Sequence, residues 1–291
     1  MFCVLLFEII YKLNKMKVFF LLALTFTIFF FASCNPNGSS KEEEYQPLTF
    51  LPDSLKQVSG VCDTSTMGGC ATISFLYFKA QGGHVGVADA INSQIYAMLA
   101  GGIPIDEPLD TAAFAHVDSA RQELLHSCKA FLKLYEEDKE ATEGFFAAYS
   151  ASSDTDFVVQ TPKVISMGHI LSSYQGGAHP NSYMAIQNFR VADGTLLPPA
   201  AFIADKEALT ILAEKKFRER QSIAPNADLS AEGYFLNEAK QFFLPANIGV
   251  LKEGLLFHYN PYEIAPYAVG PIQFVVTYSE LGNSVTPNVV H

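Results

Sequence analysis

Basic side chains are scarce in this sequence. Nineteen lysines and arginines stand against 30 aspartates and glutamates, for a formal charge of −11 at pH 7. Such a surface repels phosphate backbones, which excludes nucleic acid as a partner and favours cationic ligands, basic proteins among them. Motifs that carry chemistry are missing as well. There is no G-x-S-x-G elbow, no H-E-x-x-H helix and no glycine loop opening onto a helix to cradle phosphate. His84, His116, His126, His169 and His258 are scattered without ligand spacing, so neither a metal nor any other cofactor is expected. No internal repeat is visible.

Long apolar runs are wanting too, except near the start. From Met16 the chain reads MKVFFLLALTFTIFFFASC: a basic opening, an apolar run from Val18 to Phe31, then Ala32-Ser33-Cys34. The run is shorter than the roughly 20 apolar residues a bilayer span needs, and polar NPNGSS follows at once. Residues 1–33 therefore read as a secretory signal, with translation starting at Met16 and residues 1–15 an upstream extension. The alternative is a long basic leader carrying Lys12 and Lys15. The cysteine after FAS resembles a bacterial lipoprotein signal, although Phe31 stands where an aliphatic residue is preferred. That resemblance implies acylation of Cys34, palmitate included, and a lipid-anchored place in the cell envelope. The anchoring bilayer is then the outer membrane, with the protein facing the periplasm or the surface. Removing residues 1–33 discards Lys12, Lys15 and Lys17 against Glu8 alone, so the mature chain is more acidic still.

Residues 34–47, beginning CNPNGSSKEEEYQP, have almost nothing to bury and read as a flexible tether. Beyond them ATISFLYFKA (71–80) is apolar, β-branched and aromatic, the pattern of a strand. In 87–101, Val87, Ile91, Ile95 and Met98 share one helical face and Gly101 supplies a stop. Thr111 is the expected cap of a long helix on which Phe114, Val117, Leu124, Cys128, Phe131, Leu132 and Tyr135 recur at threes and fours, and YEEDKEATE is its solvated end. Strands are expected from about Phe157, with period-two alternation through 183–190 and a hairpin turn at Asp193-Gly194. Asp205 caps a third helix with Leu209, Leu212, Ala213 and Phe217 as its stripe. Strands and helices come in clusters without regular β-α-β alternation. The expected class is α+β, an antiparallel β-sheet with helices packed on it. Two small, intimately associated subdomains are expected, 48–160 and 161–291.

Two stretches are unusual. The first, YQGGAHPN (174–181), joins two expected strands; Gly176 and Gly177 suit positive φ and Pro180 removes a ladder donor at the next strand's start. Turn shape explains those residues and leaves His179. As a general base it needs a carboxylate and a nucleophile in reach, and no sequence signal supplies them, so the structural reading of His179 is preferred. The second, FHYNPYEIAPYAVGP (257–271), sets Tyr259, Tyr262 and Tyr267 among prolines around Glu263. Either the rings are exposed anchors for a protein or glycan, or they pack over the sheet while backbone donors hold Glu263. Both readings stand at this point. Of the remaining cysteines, Cys62 and Cys70 bracket CDTSTMGGC and are expected to form a disulfide in an oxidising compartment, and Cys128 is a buried thiol on a helix face.

Together YQGGAHPNSYMAIQNFRVADGTLL and LLFHYNPYEIAPYAVGPIQFVVTYSEL resemble the extracytoplasmic domain of RsiV-type anti-sigma factors. CATISFLYF…AINSQI resembles the companion domain found there and ahead of PdaC-type peptidoglycan deacetylases. The resemblance covers most of residues 60–281 and implies an α+β envelope module of largely unknown function. Its best-understood relative binds lysozyme through this region. No sigma-binding segment, spanning helix or deacetylase domain accompanies the module here. The expected role is a non-catalytic, lipid-anchored binding module for an envelope protein, lysozyme-like or otherwise, or for peptidoglycan. Tyr174, Gly176, Gly177, His179, Tyr262, Glu263 and Tyr267 are its candidate binding residues. The alternative is a peptidoglycan hydrolase, deacetylase or accessory with His179 and Glu263 as its acid-base pair.

Overall fold

The computed structural model describes residues 46–59, 69–142 and 147–286; the signal, Cys34, most of the tether and Cys62 lie outside them. Among the described residues the strands are β1 (Gln46–Val58), β2 (Ala71–Gly83), β3 (Tyr149–Gln160), β4 (Val164–Tyr174), β5 (Asn181–Arg190), β6 (Asn247–Val250), β7 (Gly254–Tyr259) and β8 (Ile272–Thr277). The helices are α1 (Val87–Gly101), α2 (Val117–Ala141), α3 (Lys206–Gln221) and the short α4 (Tyr278–Leu281). The α+β class is as expected, but the strands form two sheets. One has the order β1-β2-β3-β4-β5, the other β6-β7-β8. The first is also mixed: β2 and β3 run parallel while its other pairs are antiparallel. The connection permits this, since α1 and α2 intervene between β2 and β3 and parallel neighbours need a crossover of a dozen or more residues.

Each sheet has its own core. α1 buries Val87, Ile91, Ile95 and Leu99, and α2 buries Leu124, Cys128, Phe131 and Tyr135, against Ile73, Phe75 and Met167 of the larger sheet. α3 sets Leu209, Ala213 and Phe217 against Phe257, Tyr259 and Phe274 of the smaller sheet. The expected subdomain boundary at 160/161 falls between β3 and β4, which pair along their length from Ser150↔Tyr174 to Gln160↔Ile165. The five-stranded sheet thus draws strands from both sides of it. One local expectation is corrected: Thr111 does not cap α2. Asp110 accepts a bond from Ala112 N–H and caps a 3-10 turn at Thr111–Ala115, and α2 starts only at Val117. Asp205 caps α3 as expected, accepting from Ala208 N–H.

The edge of β5 is sealed by asparagines. Met184 N–H donates to Asn260 Oδ1 at 2.7 Å, and Asn260 Nδ2 returns a bond to Met184 O at 2.9 Å. Ile186 N–H donates to Asn247 Oδ1 at 2.8 Å. Asn188 Nδ2 reaches Ile248 O, while its Oδ1 accepts from the Ser166 hydroxyl and from Val250 N–H. Asn260 and Asn247 do for β5 what a sixth strand would do, satisfying edge groups that otherwise lie bare, while Asn188 reaches from β5 to the backbone of β6. They fix β6 and β7 against β5, and between the two sheets a cleft remains.

Candidate ligand cleft

The turn between β4 and β5 is built as its glycines suggest. Gly176 and Gly177 have φ of 92° and 100°, a region that a Cβ disfavours. Tyr174 closes the turn through its hydroxyl, which donates to Gly177 O at 2.9 Å. His179 is exposed, and its Nδ1 sits 2.9 Å from Pro180 O, so that nitrogen carries the proton and donates. The imidazole stacks flat on Tyr267, with centroids 4.1 Å apart and planes 14° from parallel. Tyr267 in turn lies 5.4 Å from Tyr262. The two unusual stretches therefore meet: His179, Tyr267 and Tyr262 form one row of rings.

Tyr262 is 60% exposed and has a φ of 68°, a left-handed conformation uncommon for a bulky residue. Glu263 holds the backbone around it. One carboxylate oxygen accepts from Ala246 N–H at 2.9 Å and the other from Asn260 N–H at 2.8 Å. Glu263 thus braces the loop backbone. His179 and Glu263 make no hydrogen bond to each other among the described residues. Below the loop Tyr259 is buried and donates to Phe243 O at 2.6 Å. Burial, and secondarily the Glu263 charge, push its phenol far up from the ordinary value.

Tyr267, the central ring of the row, lines a cleft of about 770 Å³. One wall is the outer face of the larger sheet, with Asp156, Ile170, Ser182 and Met184; the other carries His258 and Gln273. Tyr267 to Pro271 and Arg220 close its sides. His258 is buried, with Nε2 3.2 Å from Asn260 Oδ1 and Nδ1 3.2 Å from Gln273 Oε1. The Asn260 amide is oriented by Met184, so Nε2 is the donor. Asp156, Arg220, His258, Asn260 and Gln273 did not stand out in the sequence; only the N in HYNPY hints at one of them. No cluster of three metal-binding side chains occurs among the described residues. Cys70 is disulfide-bonded, and Cys62 lies outside the described residues. His169 is buried on β4 facing α1 and α2, with Nδ1 3.3 Å from the Thr155 hydroxyl and Nε2 unpartnered. Burial pushes its pKa down to about 4.

The segment behind the cleft, with α3, the smaller sheet and the tyrosine loop, is the part with a family match. Residues 196–279 match DUF3298. That family is described as a protein of unknown function. Two crystal structures are similar across both sheets. A DUF3298 family member from Bacteroides fragilis is 21% identical with a TM-score of 0.59, covering 84% of this chain and 96% of that one. A DUF3298 family protein from Pseudomonas aeruginosa is 15% identical with a TM-score of 0.56, covering 84% and 97%. At these identities the likeness is one of fold. A search of curated proteins gives no match. His179 lies before the DUF3298 segment, whereas Tyr262, Glu263 and Tyr267 lie inside it.

Proposed function

We propose that this protein is a lipid-anchored envelope module that binds a protein or peptidoglycan ligand at the inter-sheet cleft without chemically altering it. The observation that carries the reading is the row His179–Tyr267–Tyr262, assembled from two separate chain segments, whose central ring lines the cleft. Rigid aromatic rings offer contact area at small entropic cost, and stacked faces suit the apolar faces of sugars as well as side chains. Polar groups converging behind the row, from Ser182, Gln273 and Arg220, supply orientation. The engagement of both Glu263 oxygens by backbone N–H groups supports binding over acid-base chemistry. The RsiV-type resemblance supports an envelope partner, lysozyme-like or peptidoglycan, and the lipoprotein-type signal supports anchoring at Cys34.

The test uses the full-length chain with lysozyme and with soluble muropeptides, measured by calorimetry and by mass spectrometry of the recovered ligand. Tyr267→Ala should weaken binding of one of them at least tenfold, since it removes the central ring. Tyr262→Ala should weaken it less. Chemically altered muropeptides, or binding indifferent to Tyr267, would overturn the proposal.

A further inference from the structure

One contact in the cleft wall needs a proton that a neutral histidine does not have to give. His258 on β7 and Gln273 on β8 are directly opposed, and Nδ1 of the ring lies 3.2 Å from Gln273 Oε1. A carbonyl oxygen only accepts, so this pair is hydrogen-bonded only if Nδ1 carries a proton. Nε2 already carries one. Met184 N–H donates to Asn260 Oδ1 and Asn260 Nδ2 donates to Met184 O, which fixes that carboxamide. Nε2 lies 3.2 Å from the same Oδ1 and must donate to it, a carbonyl oxygen having lone pairs for two donors.

Two arrangements satisfy the pair, and they differ by one proton and a reversal of the Gln273 amide. With the ring neutral, Nδ1 is an acceptor, the Gln273 NH2 group turns to it, and Oε1 faces the cleft. With the ring cationic, both nitrogens donate, Oε1 accepts from Nδ1, and the NH2 group faces the cleft. Histidine side chains change charge between about pH 5 and pH 8, so both arrangements lie within reach. His258 is buried and engaged at both nitrogens, whereas Gln273 is exposed and makes no other hydrogen bond among the described residues. The amide is therefore the part that turns. Around the pair, Asn247 of β6 is engaged by Ile186 N–H, and both Glu263 oxygens by backbone N–H groups. The remaining titratable groups lining the cleft are Asp156 of β3, Arg220 of α3, Tyr183 of β5 and Tyr267. Asp156 and Arg220 are opposite in sign, and burial pushes the Tyr183 phenol up.

We propose that Gln273 sets the hydrogen-bonding polarity of the cleft wall and that the proton on His258 reverses it. The inference rests on the reading of the cleft as a ligand site and names the ligand groups it selects. With the ring neutral, the wall presents a carbonyl oxygen and takes a group that donates, an amide N–H or an ammonium. A carboxylate placed there would set acceptor against acceptor and leave both unpaired, which costs more than a missing bond. With the ring cationic, the wall presents N–H beside a positive charge and takes a carboxylate. Sugar hydroxyls donate or accept as required and are indifferent to the change. The cleft thus prefers the amidated form of a ligand at neutral pH and its carboxylate form in mild acid.

The test begins without a ligand, by nitrogen NMR of the full-length chain at about pH 8 and about pH 5. At the higher pH His258 should hold its single proton on Nε2, and a Gln273 amide hydrogen should be protected from exchange. At the lower pH both ring nitrogens should be protonated and that protection lost. Gln273→Glu offers only acceptors, so its His258 should keep the second proton to a pH about one unit higher or more. The binding arm uses soluble muropeptides with free carboxylates and the same muropeptides amidated. In wild type the affinity of the carboxylate form relative to the amide form should rise about tenfold from the higher pH to the lower. In Gln273→Glu, whose second oxygen faces the cleft throughout, the ratio should stay low. A neutral ring protonated on Nδ1, Gln273 protection indifferent to pH, or an unchanged ratio in wild type would overturn the inference. If neither muropeptide binds while the spectra change as stated, the reading of the cleft as a peptidoglycan site fails and the proton-driven reversal stands.

Discussion

Mild acid should weaken this fold through one side chain. His169 is buried on β4 with its Nε2 unpartnered, and its folded-state pKa of about 4 lies below the ordinary 6.5. The fold tolerates the neutral imidazole and resists the cation, whereas the unfolded chain accepts a proton normally. Between pH 6.5 and pH 4 the unfolded state thus binds more protons, and stability falls as pH falls. The contribution is complete above pH 6.5. About 2 kcal/mol of it is gone by pH 5, and about 3 kcal/mol by the lower limit of the window. Asp193 is held below the usual carboxylate range chiefly by Thr195 N–H, and Glu280 by Lys216; both withdraw their support at lower pH than His169. The assay is urea unfolding followed by circular dichroism at pH 8 and pH 5, for wild type and His169→Gln. Glutamine keeps a polar group beside Thr155 and does not titrate. The variant should be less sensitive to the pH change by about 2 kcal/mol. Equal loss in both proteins would refute the assignment to His169.

Gly177→Val should destabilise more than His179→Asn: valine at a φ of 100° is strained by roughly 1–3 kcal/mol, while asparagine forfeits one exposed stack worth about 1 kcal/mol. Thermal melts of the two variants would show a reversed order if the turn were not glycine-dependent. Asn260→Ala strips both partners from Met184 and should cost about 2–4 kcal/mol, read as a lowered urea midpoint; an unchanged midpoint would mean water replaces the amide. Glu263→Gln presents an amide where two backbone N–H groups need acceptors, and should lower the melting temperature; a loss of some catalytic turnover at unchanged stability would reinstate an acid-base role. Cys34→Ser should leave an unprocessed precursor or release the protein from the membrane fraction, and normal processing and fractionation would remove the lipid anchor.

The helices and β2, β4 and β5 are legible because their patterns are strong, whereas β1 is not anticipated, its first residues being read as tether, and β3 begins at Tyr149, well before the expected Phe157. The stripe from Leu124 to Tyr135 and the Asp205 cap each state their element locally. What the sequence could not show were features decided by distant partners. β6 is four residues long, too short for a pattern, and exists because Asn188 and Asn247 tie it to β5. The parallel pairing of β2 with β3 depends on how α1 and α2 fold back, not on either strand's composition. α2 starts at Val117 and not near Thr111 because residues 111–115 form a separate 3-10 turn capped by Asp110, and the helix begins only after His116. Of the site, the two motifs were visible and their stacking was not, since nothing in YQGGAHPN says which ring will lie on His179. The sequence leaves Glu263 between two readings, and the backbone donors that occupy it belong to Ala246 and Asn260, one of them 17 residues away.

The asparagine stitch has a consequence for exchange of amide hydrogens. Met184 and Ile186 donate to side chains, not to a neighbouring strand, so their protection from solvent depends on single rotatable groups. Asn260 also touches His258 in the cleft wall. Whatever occupies the cleft and steadies that carboxamide slows the opening of β5's edge, and the Met184 amide becomes a built-in reporter of occupancy that needs no label and no knowledge of the ligand's identity.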